Sequence, residues 1–153
     1  MALPLTASTA TEFPMSQTYN TTSKKLGLGL GVFSLALGAL EVAAPKRVAR
    51  ALGLDENGAA PTTIRAFGLR EIAAGAVLLR GPAVSFNVWN RVFGDAMDAY
   101  ALLAGWGSSS KKSAMAGALA FVGGAAALDV YTAKALDRDT GRFLPVTKPD
   151  AML

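Results

Sequence analysis

Neither cysteine nor histidine occurs anywhere in these 153 residues. Without Cys, disulfides, thiolate nucleophiles and thiolate metal sites are excluded. Without His, the commonest general base, the usual zinc or haem ligand and the side chain that titrates near neutrality go as well. Charge is scarce too: Asp, Glu, Lys and Arg make up 17% of the chain, where a soluble domain carries about 25%. Apolar residues reach 52% and the mean hydropathy is +0.34, between the soluble and membrane classes. The net charge of +4 does not point to nucleic acid, because the 15 Lys and Arg residues are spread along the chain, with no basic helix face and no RNA-binding motif.

Where the charges fall says more than how many there are. Lys24 and Lys25, then Lys46, Arg47 and Arg50, then Arg80, then Lys111 and Lys112, then Lys134 with Arg138 and Arg142, bracket four apolar segments, as anchors at a membrane surface do. The segments span 26–44, closed by Pro45; 62–80, opened by Thr62 or Thr63 as a cap and stopped by Gly81 and Pro82; 84–106, ending on Trp106; and 113–135. Each is close to the ~20 residues that cross a hydrocarbon core of about 30 Å. A short amphipathic piece at 46–54 suits the lipid interface, and Asn57, Gly58 and Pro61 supply turn chemistry after it.

The expected fold is therefore all-α, a polytopic membrane protein with four transmembrane helices in an antiparallel bundle at 26–136. A polar arm at 1–25 precedes it and a polar tail at 137–153 follows it. The competing reading is a soluble four-helix bundle with very apolar helices. Against it stand sixteen consecutive uncharged residues from Ser113 to Leu128, which leave no solvated stripe. Gly27-x3-Gly31 and Ala116-x3-Ala120-x3-Gly124 offer the small-residue spacing that lets helices approach closely in lipid. Lys and Arg number seven on the side of the termini and second loop (Lys24, Lys25, Arg80, Lys134, Arg138, Arg142, Lys148) and five on the other. That bias favours both termini in the cytoplasm.

An echo runs through the segments. Arg65-Ala-Phe-Gly68 in the second is matched by Arg91-Val-Phe-Gly94 in the third, and Phe33 followed by Glu41 in the first by Phe121 followed by Asp129 in the fourth. This suggests two acid–Arg clusters, Glu41 with Arg65 and Arg91 with Asp129, related by a pseudo-two-fold axis in the membrane plane. A charge inside hydrocarbon costs at least about 2.5–3.5 kcal/mol, so intramembrane ions turn inward and pair. The candidate network is Glu41, Arg65, Arg70, Glu71, Arg91, Asp95, Asp98 and Asp129. Arg91 and Asp95 are placed to pair within their helix, and adjacent Arg70 and Glu71 point to different neighbours. Three Arg face five acids. Protonation, a partner's Lys or Arg, or a bound cation or aqueous cavity must balance the excess. The network's role is structural, setting helix register, or it is a binding pocket, a proton path or a partner contact.

The runs LGLGLGVFSLALGALEVAAPKRVARALGL, IRAFGLREIAAGAVLL, VWNRVFGDAMDAYAL and ALDVYTA resemble an uncharacterised bacterial family of four-helix membrane proteins, found alone or beside polyketide cyclase/dehydrase-like domains. The resemblance covers about 26–135, with R-x-F-G-x-R-E at 65–71 and W-x-R-x-x-G-D-x-x-D at 89–98 its most specific parts. It implies a location in the bacterial inner membrane and no particular activity, and this chain has no attached cyclase-like domain. Arms of this composition order on a partner surface rather than alone. The leading expectation is accordingly a non-catalytic accessory subunit of a larger membrane complex, with the lipid bilayer and other membrane subunits as partners. The alternative is a small carrier, or a small-molecule or proton-binding membrane protein, using the buried cluster. No nucleophile–base pair, phosphate loop or metal-ligand spacing is present to support an enzyme: GLGLG at 27–31 lies inside an apolar helix. The sequence names no cofactor.

Overall fold

The computed structural model describes residues 22–80 and 85–139, and these form five helices and no strands. They are α1 (Thr22–Ala43), α2 (Pro45–Ala51), α3 (Ala60–Arg80), α4 (Ser85–Gly105) and α5 (Lys112–Asp139). Of the expected arms at 1–25 and 137–153, residues 22–25 belong to α1 and 137–139 to α5, and the rest lies outside the described residues, as do residues 81–84. Pro45 at the first position of α2 both ends α1 and starts the short helix. Gly53 closes α2 at φ +70, where Leu54 N–H donates to the Ala49 carbonyl at 2.9 Å; only glycine adopts this conformation without strain. The next loop is tied across the bundle to the one before α5. Gly53 O accepts from Ser110 N–H at 2.9 Å, and Leu52 O from the Ser109 hydroxyl at 2.6 Å.

The bundle is two antiparallel pairs, α1 with α3 and α4 with α5. In the first pair the backbones nearly touch. A Cβ at Gly38 would lie 2.5 Å from the Gly68 carbonyl oxygen, and one at Gly75 would lie 2.7 Å from that of Gly31. Facing glycines seven apart, 31 and 38 against 68 and 75, make this crossing possible. Here the spacing read from the sequence is corrected. A Cβ at Gly27 or Gly124 would meet nothing within 4 Å, and Ala116, Ala120 and Gly124 are exposed. The period that matters is two helical turns, because it keeps both glycines of each helix on the narrow line where two near-antiparallel helices touch.

Helix α5 runs beyond the expected end at 135. Leu136 is buried, and Asp137 accepts hydrogen bonds from Ser85 Oγ at 2.5 Å and Trp89 Nε1 at 3.1 Å. This polar node holds the ends of α4 and α5 together, so the helix continues where the residue types alone suggest a tail.

Leu30, Val88, Ala133 and Leu136 form a small buried apolar cluster, but beyond it burial is inverted relative to a protein folded around an apolar core. Ser34, Glu71, Ser85, Arg91, Asp95, Asp129 and Thr132 are buried, whereas Phe93, Tyr100, Val32, Leu103 and Tyr131 stand outward at 59–74% exposure. α1 and α5 are each long and apolar enough to cross a membrane.

Candidate functional site

Glu71 sits at the middle of the bundle and organises it. It lies on the face of α3 that carries Gly68 and Gly75, so it points at α1 and α4 together. Its Oε2 accepts from the Ser34 hydroxyl of α1 at 2.7 Å and from Arg91 Nη1 of α4 at 2.8 Å, and its Oε1 accepts from Arg70 Nη2 at 2.7 Å. Arg91, almost fully buried, also donates from Nε to Asp129 Oδ2 of α5 at 2.9 Å. Arg70 donates to Asp98 Oδ2 and to the Gly94 carbonyl, each at 2.8 Å, and its guanidinium lies 5.4 Å from the Phe67 ring. A Cβ on Gly94 would come within 2.8 Å of Arg70 Cζ, so that glycine makes room for the cation.

The result is one unbroken alternation, Asp129–Arg91–Glu71–Arg70–Asp98, linking α5, α4 and α3. Planar guanidinium groups suit it because each spans two acceptors. Asp95 completes the buried end, and among the described residues Asp95 Oδ2 and Asp129 Oδ1 are both buried without a hydrogen-bond partner. Glu71, Asp95 and Asp98 bring carboxylate oxygens within 4.8 Å of each other, close enough to share a metal cation. Glu71 Oε1 and Oε2 already accept from Arg70 and Arg91, so guanidinium groups supply the positive charge beside this carboxylate.

Several expectations change here. Arg65 is exposed and leaves the network, since at 100° per residue it falls about 90° round α3 from the line of Gly68, Glu71 and Gly75. The expected pairing of Glu41 with Arg65 is absent, and two clusters become a single chain. Arg91 turns away from Asp95, its neighbour one turn along, toward Glu71 and Asp129. Arg70 and Glu71 do serve different partners, yet they also bond each other. The carboxylate excess grows once Arg65 is removed, leaving two Arg for five acids. Ser34 and the Asp137 node were not singled out from the sequence; a lone hydroxyl seven residues before Glu41 in an apolar helix was the available signal for Ser34.

Beyond Asp98 the bundle opens. A cavity of about 570 Å³ lies where all five helices approach the loop after α2. Its wall is apolar, including Leu37, Phe67, Leu102 and Phe121, with Glu41 and Asp98 set into it. Three acidic residues and no basic one line it. Among the described residues, Glu41 Oε2 and Asp98 Oδ1 are buried without a hydrogen-bond partner. Phe33 and Phe121, the echoed aromatics, meet beside it with ring centroids 5.7 Å apart. At the rim, exposed Arg50 donates to Glu56 at 2.5 Å, and this bond holds the Glu56 carboxyl below its ordinary range.

No family model, no curated protein and no solved structure matches the chain.

Proposed function

We propose that the chain is an integral membrane protein in which α1, α3, α4 and α5 all span the bilayer and the cavity between them binds a small molecule. The carrying observation is the 570 Å³ cavity with two partnerless carboxylate oxygens on the residues of its wall. Buried acceptors without partners are costly unless something satisfies them, and the volume is that of ordinary small-molecule sites, about 300–1,000 Å³. The inverted burial supports the membrane setting. Apolar side chains facing outward on every long helix suit lipid, and a salt-bridged interior suits helices that need to satisfy their charges internally.

The Lys and Arg bias favours both termini in the cytoplasm, an orientation in which the cavity opens toward the other face of the bacterial inner membrane. An accessory subunit of a larger complex, the other expectation, draws on arms outside the described residues, whereas the cavity lies within the bundle.

The test is what the full chain carries when purified from its own membrane in mild detergent. Mass spectrometry of the released fraction should find a small molecule with the wild type, and little with Ala118→Trp, which fills the cavity from α5. Helix content by circular dichroism checks that the variant folds. Equal recovery from both proteins, or none from either, would remove the binding reading.

A further inference from the structure

We infer that the cavity selects an organic cation, an ammonium group on an apolar body, with Glu41 as its principal counter-ion. This rests on the binding reading above and adds the chemical class of the ligand. Three observations converge. The lining holds acids and no base. Glu41 and Asp98 of the wall, with Glu71, Asp95 and Asp129 behind it, make five carboxyl groups for two Arg, so a guest cation reduces an imbalance where an anion would add to it. Phe67 and Phe121 stand in the same wall, and aromatic faces beside a carboxylate are the surroundings in which ammonium groups are held in water-poor sites.

Glu41 and Asp98 are not equivalent. Asp98 already gives Oδ2 to Arg70, which cancels much of its charge, whereas Glu41 Oε2 is without a hydrogen-bond partner among the described residues. Asp55, the third acid of the wall, is exposed and accepts from Asn57 N–H at 2.9 Å, so Glu41 is the acid best placed to face a guest cation, and Asp98 contributes a second acceptor through Oδ1. Leu37, Leu102 and Phe121 give the non-polar part of the ligand its contact.

The test compares three probes with one carbon skeleton, 4-phenylbutylamine, 4-phenylbutanol and 4-phenylbutyrate, titrated calorimetrically against the full chain in lipid nanodiscs. Empty nanodiscs give the partitioning background. The amine is expected to bind at least tenfold more tightly than the alcohol, with the acid weakest. Glu41→Gln should bring the amine to the level of the alcohol while leaving the alcohol unchanged, which also shows that the variant folds; Asp98→Asn should lower the amine less. If alcohol or acid equals the amine in the wild type, or the amine preference survives in both variants, the cation assignment is overturned while the cavity remains a binding site. If none of the three binds above empty nanodiscs, the assignment and the binding reading fall together.

Discussion

The two ends of the bundle are built from the same R-x-F-G unit and have opposite contents. In α4 the unit turns inward: Arg91 is buried between Glu71 and Asp129, and Phe93 faces out at 68% exposure. In α3 it is turned the other way, with Arg65 outside, Phe67 in the cavity wall, and Glu41 left without a guanidinium. One end is filled by its own cation and the other is open. Pseudo-symmetric sequences can thus place a structural lock and a candidate binding site in one small bundle, because a rotation of one helix decides which of the two side chains points inward.

The comparison can be broken most sharply at Arg91. Arg91→Leu leaves Asp129 buried beside no cation and Glu71 with Arg70 alone, and removing one partner of a buried pair costs about 3–5 kcal/mol. Thermal or denaturant unfolding in detergent should show the loss, while Glu41→Gln at the open end should leave stability unchanged or slightly higher. Equal losses at the two ends would erase the distinction. Next is the α1–α3 crossing that both ends share. Gly38→Val puts side-chain atoms against the Gly68 carbonyl, and overpacking of this kind costs about 1–3 kcal/mol; Gly124→Ala on the open face of α5 is the control and should be silent in the same melt. Arg65→Gln, in contrast with Arg91→Leu, should shift stability by no more than about 0.5 kcal/mol.

The smallest effect belongs to the rim. Glu56 is held below its ordinary range chiefly by its hydrogen bond to Arg50, so the favourable contribution is present above the carboxyl's unfolded value and disappears as pH falls through the lower folded one. A carbon-detected titration should place the Glu56 midpoint below 4.5, the ordinary value, and Arg50→Gln should return it there. Salt should do the same in part, because the pair is exposed.

Helix positions were legible because prolines, glycines and paired basic residues mark the ends: Pro45 stops α1 where expected, and Arg80 ends α3. The buried network was legible because an Arg or Asp inside an apolar run has few places to go. Its wiring was not. Whether Arg91 reaches back to Asp95 or across to Asp129 depends on helix rotation, which sequence spacing does not fix, and the same uncertainty misplaced Arg65. Asp137 was read as tail because it sits among charged residues, although Ser85 and Trp89 across the bundle keep it on a helix. The small-residue signal was misread for a similar reason: many such spacings exist in an Ala- and Gly-rich chain, and only the facing glycines at 31, 38, 68 and 75 meet a backbone. The cavity was invisible in sequence, since it is a space left between helices rather than a pattern along one.

Lipid around the outward apolar side chains is the claim on which the rest depends. The absence of native cysteine permits a direct measurement: a nitroxide at a single Cys replacing Phe93, Leu128 or Val77, in liposomes, compared with one replacing Ser108 in the loop. The three outward helix positions should relax strongly with molecular oxygen and weakly with a water-soluble nickel chelate, and Ser108 the reverse. Chelate accessibility at Phe93 and Leu128 equal to that at Ser108 would show water there, and would contradict the membrane-spanning bundle.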